Sequence, residues 1–273
     1  LGLPITEMVE SANSSFSLCP MLTSSAILAI EKHGTEEQKK TYLEKLVSGV
    51  WSGTMNLTEP NAGSDAGSLT TYAEDKGDHY ILNGSKNWIT NGVEADVAVV
   101  FAKTEKTDNH KGMSAFIVET AWDGFEVQKK EDKLGIRGSS TTAIAIENLK
   151  VPKENLLGKE KKGFSIGLAT LDGGRIGIAA QALGIAEAAF RYAKKYSLER
   201  VQFGKPIGDL QAIQFILADM STKIAASRLL IAEASRLKDL NQPYSKEAAQ
   251  AKVFAAEAAM WITTKAIQVL GGN

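Results

Sequence analysis

At 273 residues the chain has room for one large domain or two to three modest ones. Its 44% apolar and 23% charged residues are an ordinary globular composition. Thirty-one Lys and Arg against 32 Asp and Glu leave a formal charge of −1, too little basic surplus to neutralise a nucleic-acid backbone or to seek an anionic membrane. One cysteine, Cys19, excludes an intrachain disulfide framework and a cluster of thiolate metal ligands. No apolar run approaches the ~20 residues needed to cross a bilayer. The expectation is a soluble intracellular protein. The start at Leu1, without the charged and apolar regions of a signal peptide, predicts a piece of a longer polypeptide. The stop at Gly271-Gly272-Asn273, directly after a helical pattern, predicts the same.

Residues 1 to about 50 read as helical. Thr35-Glu36-Glu37-Gln38 fits a capping box, in which a hydroxyl takes an orphan N–H and an amide three residues on reaches back. Gly49 is placed to end that helix. From Trp51 to about Val151 short β-branched or aromatic runs recur at Tyr80–Leu82, Val97–Phe101, Ser114–Val118, Phe125–Val127 and Thr142–Ile146. Turn clusters at Asn61–Asp65, Asn83-Gly84, Asn91-Gly92 and Gly135–Ser140 separate them. Short strands without intervening helices predict an antiparallel barrel or sandwich, because a parallel sheet would need crossover helices, which are absent.

From Gly163 onward the pattern is helical. Ile176, Ala179, Leu183, Ala186, Phe190 and Ala193 step by three and four, as do Leu210, Ile213, Leu217, Met220, Ile224, Ser227, Ile231 and Ala234. A third segment runs to Leu270 from Ser245, which reads as its N-cap. Such strides predict bundle packing, with a fourth helix expected after Asn273 to close the exposed seam. The fold class is therefore α+β and multidomain. The expected division is a partial helical N-terminal domain at 1–52, a middle β-domain at 53–158 and a C-terminal helical bundle at 159–273.

Several chemistries are excluded. There is no Walker-type phosphate loop, no G-x-G-x-x-G and no G-x-S-x-G elbow. His33, His79 and His110 are dispersed, without metal-ligand spacing, and read as surface or loop residues.

Four segments carry a resemblance. Met55-Asn56-Leu57-Thr58-Glu59-Pro60-Asn61-Ala62-Gly63-Ser64-Asp65 resembles the T-E-P-x-A-G-S-D signature of the acyl-CoA dehydrogenase family. Asn87–Gly92 resembles its W-I-T-N motif, Arg200–Ile207 its R-x-x-F-G-x-P-I turn, and Gln268–Gly272 its Q-x-x-G-G element. The resemblance covers essentially the whole chain. It implies an FAD flavoprotein that desaturates an acyl-CoA thioester between Cα and Cβ and passes electrons to an electron-transferring flavoprotein. The short-chain, butyryl-CoA-like type is the best match, through Gly173–Glu187 and Lys133–Ser139. The opening Leu1–Pro4 and Ser11–Asn13 look instead like a branch acting on larger or unusual acyl-CoAs. Acyl-CoA oxidase, with molecular oxygen as acceptor, and a non-catalytic FAD or acyl-CoA binder are the competing readings.

The resemblance also implies roles for particular residues. Taken alone, Thr58–Ser64 is a turn between strands, although main-chain N–H groups there suit a diphosphate. By family, Thr58 bonds the isoalloxazine, Met55 and Leu57 line it, and Gly63 belongs to the same cofactor turn. Ser64 reaches the cofactor or the CoA arm. Trp88 in isolation is a core aromatic; by family it packs on the flavin, with Ile89 and Thr90 beside it. Arg200 clasps the diphosphate of a neighbouring subunit's FAD, flanked by Phe203, Gln211, Gln268 and Gly272, so a homodimer or homotetramer is implied. Asp172-Gly173-Gly174-Arg175 reads as the opening of the first bundle helix, with Asp172 as N-cap; by family Asp172 and Arg175 belong to the CoA-thioester site. The family's general base is a Glu expected beyond Asn273, or, in a minority of members, at the position of Gly174, so no catalytic residue is named within the chain. The implied location is cytoplasmic for a bacterial chain and the mitochondrial matrix for a eukaryotic one.

Overall fold

The computed structural model describes residues 2–107 and 109–273; Leu1, part of the Leu1–Pro4 resemblance, lies outside the described residues. They form two compact units: Leu18–Leu171, and the residues up to Ser17 together with Asp172–Asn273.

In the first of these, helix α2 (Ser14–His33) contributes its C-terminal part and α3 (Glu36–Val47) follows. The capping box forms: the Thr35 hydroxyl accepts from the Gln38 N–H at 3.2 Å, and the Gln38 Oε1 accepts from the Thr35 N–H at 3.0 Å. The buried Gln38 amide also donates to the Glu154 and Leu156 carbonyls at 2.6 and 3.0 Å, which anchors α3 to the sheet. Gly49, at φ 76°, takes the left-handed turn that ends the helix.

Eight strands make one sheet: β1 (Gly53–Asn56), β2 (Tyr72–Asp75), β3 (His79–Thr90), β4 (Val97–Lys103), β5 (Met113–Glu119), β6 (Phe125–Lys130), β7 (Thr141–Pro152) and β8 (Leu156–Leu157). The order is β6-β7-β3-β2-β4-β5-β8, with β1 paired to β4, and the ladder does not close into a barrel among the described residues. It is mixed rather than purely antiparallel, since β1 and β2 both run parallel to β4. The crossover that parallel strands require is present, but it is made of other strands: β2 and β3 lie between β1 and β4 in the chain. All seven residues of β4 are buried. Val97, Val99 and Phe101 pack with Ala26, Ile30, Tyr42 and Leu46 of the helices, whereas Ala98, Val100 and Ala102 pack with Tyr80, Phe116 and Ile144. A strand covered on both faces reads as a continuous apolar run.

The other unit holds α1 (Gly2–Ala12), α4 (Gly163–Glu199) from Asp172 onward, the hairpin β9 (Val201–Gln202) and β10 (Lys205–Pro206), α5 (Gln211–Asp239) and α6 (Ser245–Leu270). Its core joins Ile176, Ala179, Leu183, Ala186 and Ala193 of α4 to Met220, Ile224 and Ile231 of α5 and to Ala248, Ala251, Ala255 and Ile262 of α6. Asp172 is not an N-cap: α4 already starts at Gly163 and runs through Gly173-Gly174. Each glycine costs a helix interior only about 1 kcal/mol, which the packed face downstream outweighs. Ser245 is likewise the first helical residue, and the N-cap is Tyr244, whose side chain makes no cap bond. By length and composition α6 is long and apolar enough to cross a membrane, contrary to the reading of the sequence. Its buried face is mostly alanine, whereas Val253, Met260 and Ile267 are exposed.

Small residues set how closely these helices approach. At Gly184 of α4 a Cβ would lie 2.5 Å from the Glu7 carbonyl oxygen and 2.8 Å from the Glu10 Cβ of α1. Gly184→Val is expected to lower stability by about 1–3 kcal/mol through overpacking, read as a fall in the thermal unfolding midpoint. An unchanged midpoint would show that α1 can move away without loss.

Candidate functional site

In the sheet-containing unit the first two motifs meet. The Asn87 N–H donates to the Thr58 carbonyl at 3.0 Å, which brings the turn after β1 against β3. The turn closes on itself, because Glu59 and Ala62 exchange both main-chain hydrogen bonds at 3.1 Å. Thr54 Oγ1 donates to the Thr90 carbonyl at 2.7 Å, and the Asn91 amide donates to the Gly53 carbonyl at 3.2 Å, so β1 is stitched to the end of β3. Met55, Leu57 and Thr58 are half-buried, Ile89 is buried and Thr90 is half-buried, while Gly63 and Ser64 are exposed.

Trp88 is not a core aromatic. It sits where the β3–β7 register shifts between Lys86 and Ile89, its φ is 58°, and it is 60% exposed. The bulge turns the indole out of the sheet. A left-handed tryptophan carrying a large apolar face to the surface is costly locally, the kind of feature that accumulates at ligand sites. Among the described residues the Thr58 hydroxyl makes no hydrogen bond. An open aromatic face and a free hydroxyl on adjoining segments fit a polar heteroaromatic ring.

Beneath them lies an ion pair that neither motif spacing nor composition marks. Lys86 Nζ is 2.8 Å from Glu59 Oε1 and donates to the Phe101 carbonyl at 2.7 Å; both side chains are buried. The Glu59 carboxylate also accepts from the Thr70 N–H at 2.6 Å and hydroxyl at 2.8 Å, and from the Thr71 N–H at 3.0 Å and hydroxyl at 2.5 Å. Burial alone raises the Glu59 carboxyl, but the Lys86 charge and these donors outweigh it and hold the group at about 2. Burial pushes the Lys86 ammonium down to about 8, against the pull of Glu59. Glu59 lies within the first motif and Lys86 just before the second, and only their mutual burial reveals the pair.

In the helical unit, Arg200, Phe203, Gln211, Gln268 and Gly272 are all exposed. Arg200 opens the β9–β10 hairpin, and the Ile207 N–H donates back to its carbonyl at 2.8 Å. Phe203 at φ 54° and Gly204 at φ 77° form the tight turn that leaves the Phe203 ring 90% exposed. Asn273 donates to the Tyr196 hydroxyl at 2.6 Å, which ties the segment after Gln268 to α4 at a residue one helical turn before Arg200. Among the described residues the Arg200 guanidinium has no partner. Asp172 and Arg175 form an ion pair on α4, and Ser245 Oγ donates to the other Asp172 oxygen at 2.5 Å. The Thr58–Trp88 group lies in one compact unit, and the Arg200 and Asp172 groups in the other.

Three family models match in order: the acyl-CoA dehydrogenase N-terminal domain at residues 3–50, its middle domain at 54–149 and its C-terminal domain at 161–273. The short-chain specific acyl-CoA dehydrogenase of Clostridium acetobutylicum is 52% identical over 267 residues, 98% of this chain and 68% of that protein. The structure of butyryl-CoA dehydrogenase from Megasphaera elsdenii superposes with a TM-score of 0.97 at 47% identity, over 99% of this chain and 71% of that one. That of a glutaryl-CoA dehydrogenase from Mycobacterium smegmatis in complex with FADH2 gives 0.92 at 32% identity, over 98% and 68%. The chain spans about two thirds of the length of the curated relatives it matches, 62% to 68% in the first three. The three matched domains and their order define the class by fold and motif, and one structural neighbour in it holds FADH2. The chain belongs to the acyl-CoA dehydrogenase family.

Proposed function

We propose that the chain supplies the FAD and acyl-CoA sites of a short-chain acyl-CoA dehydrogenase that forms a trans-2-enoyl-CoA and hands electrons to an electron-transferring flavoprotein. The observation that carries this is the Trp88 indole, turned out of the sheet at φ 58° directly after Asn87, whose N–H holds the turn that bears the free Thr58 hydroxyl. Bound there, FAD would supply the acceptor for a hydride leaving the substrate Cβ. Thr58 would hydrogen-bond the flavin edge, Met55, Leu57 and Trp88 would enclose the ring, and Ile89 and Thr90 would fix the strand that carries Trp88. Gly63 and Ser64 offer main-chain and hydroxyl donors at an exposed turn, suited to the cofactor or the CoA arm. A Cβ at Gly63 would meet nothing within 4 Å, so the turn leaves room for a ligand.

Arg200, Phe203, Gln211, Gln268 and Gly272 are proposed to hold the FAD of a neighbouring subunit, in a homodimer or homotetramer. Their exposure, with the Arg200 charge unpaired, is what such a contact needs. Asp172 and Arg175 are proposed for the CoA thioester. No carboxylate of residues 1–273 is proposed as the base that takes the α-proton; Gly174 has no side chain to do so. The division at 1–52, 53–158 and 159–273 is retained as a proposal, supported by the nearby limits of the three family models. A cytoplasmic or matrix location is proposed likewise.

The test is titration of the purified protein with FAD, followed by butyryl-CoA. Flavin absorbance should be retained after gel filtration and shift when butyryl-CoA is added, without any requirement for NAD. Arg200→Ala should weaken FAD binding about ten- to hundredfold, the worth of a charge-assisted contact, and weaken the oligomer with it. A folded protein that takes up no FAD would sink the reading; unchanged affinity in the variant would make Arg200 a surface charge.

A further inference from the structure

The serine at the start of α6 forgoes the bond that its sequence position suggests. A hydroxyl there would ordinarily cap its own helix, yet the N-cap is Tyr244 and no side chain caps α6. The Ser245 hydroxyl goes instead to Asp172 Oδ2, 73 residues earlier on α4. The other oxygen of that carboxylate, Oδ1, takes Arg175 Nη1 one helical turn away. The carboxylate is thus held on both sides by different elements, and both belong to the same compact unit.

The arrangement leaves Arg175 oriented but unspent. Its side chain is 40% exposed, and among the described residues Asp172 is its one partner, so its remaining N–H groups are open to a ligand. A guanidinium carries five donors in a fixed plane, and fixing one edge fixes the direction of the others. An aspartate held by the arginine alone can rotate about its terminal torsion and carry the guanidinium with it; a second hydrogen bond removes that freedom.

We propose that Ser245 is a positioning residue of the CoA-thioester site, acting through Asp172 to aim the Arg175 guanidinium at the ligand. The proposal rests on the reading that Arg175 takes part in that site. Ser245 touches no ligand itself; it sets the direction from which Arg175 meets one. A purely structural role, joining the start of α6 to α4, would affect stability and leave ligand affinity alone.

The experiment uses FAD-loaded protein and crotonyl-CoA, an enoyl thioester that oxidised enzyme cannot dehydrogenate further at the same bond. Binding is measured by calorimetry, with thermal unfolding followed in parallel, for wild type, Ser245→Ala, Ser245→Thr and Arg175→Ala. Arg175→Ala should weaken crotonyl-CoA by about tenfold or more, and Ser245→Ala by about five- to tenfold. Ser245→Thr, which keeps the hydroxyl, should restore most of the affinity. If Arg175→Ala weakens binding while Ser245→Ala does not, the positioning role is wrong and the site reading stands. If Arg175→Ala leaves binding unchanged, the site reading falls and the proposal with it. Loss of affinity in Ser245→Ala that Ser245→Thr fails to restore would also overturn it, because the hydroxyl would then not be the cause.

Discussion

Glu59→Gln is expected to cost about 3–5 kcal/mol of unfolding free energy at neutral pH, far more than an exposed charge change would. The reason is the partner left behind. Lys86 is fully buried, and without the Glu59 carboxylate its ammonium keeps neutral acceptors such as the Phe101 carbonyl but no counter-charge. Removing one member of a buried pair strands the other in a medium that solvates it poorly. The double variant Glu59→Gln with Lys86→Met should recover a large part of the loss, since the stranded charge is gone, although the single Gln oxygen can accept from only one of the two threonines. Additive single effects in that cycle would show that the two side chains are energetically independent.

The same pair predicts an acid limb. Glu59 is held at about 2, below its ordinary 4.5. Its contribution is therefore complete above about 4.5 and is lost progressively as pH falls toward about 2. The difference corresponds to roughly 3 kcal/mol. Denaturant titrations between pH 6 and pH 2.5 should show wild type losing stability that Glu59→Gln does not have to lose. Parallel curves for the two proteins would remove Glu59 from the acid transition. Because the pair underlies both the Thr58 turn and the strand that carries Trp88, FAD uptake should decline with it.

Trp88→Ala is the converse case, with a large effect on ligand and almost none on the fold. The indole is 60% exposed, so its loss should change the stability of the FAD-free protein by no more than about 0.5 kcal/mol. Stacking of a planar heterocycle on an aromatic side chain is worth about 1–3 kcal/mol, which predicts FAD affinity lower by about five- to hundredfold. Val127→Ala, at another exposed apolar position in the same sheet, serves as the control and should leave FAD binding unchanged. Fluorescence titration with FAD reads the affinity, and thermal melting of the FAD-free proteins reads the fold. A Trp88→Ala protein that binds FAD as wild type does would return the exposed indole to an unexplained surface residue.

What the sequence determined by itself is what is set within three or four residues or by a repeating stride. The Thr35–Gln38 capping box depends on neighbours in the chain, and it forms as read. The helical faces at Ile176–Ala193 and Met220–Ala234 follow from periodicity, and they are the faces buried in the bundle. The four motifs were legible because their residue types and order survive without coordinates. The tertiary structure decided whatever depends on distant partners. The strand Val97–Lys103 shows no alternation because two different layers cover it, so the pairing directions around it could not be inferred from period. Trp88 reads as core from its type, and it is the register shift against β7 that turns it outward. Ser245 reads as a cap from its position, but a carboxylate 73 residues away is the acceptor its hydroxyl finds. Glu59 and Lys86, 27 residues apart, carry no sequence mark of a pairing, and only folding buries them against each other. Local hydrogen bonds are written in short spacing, whereas the partner of a buried charge is chosen by packing, which brings together groups that the chain keeps apart.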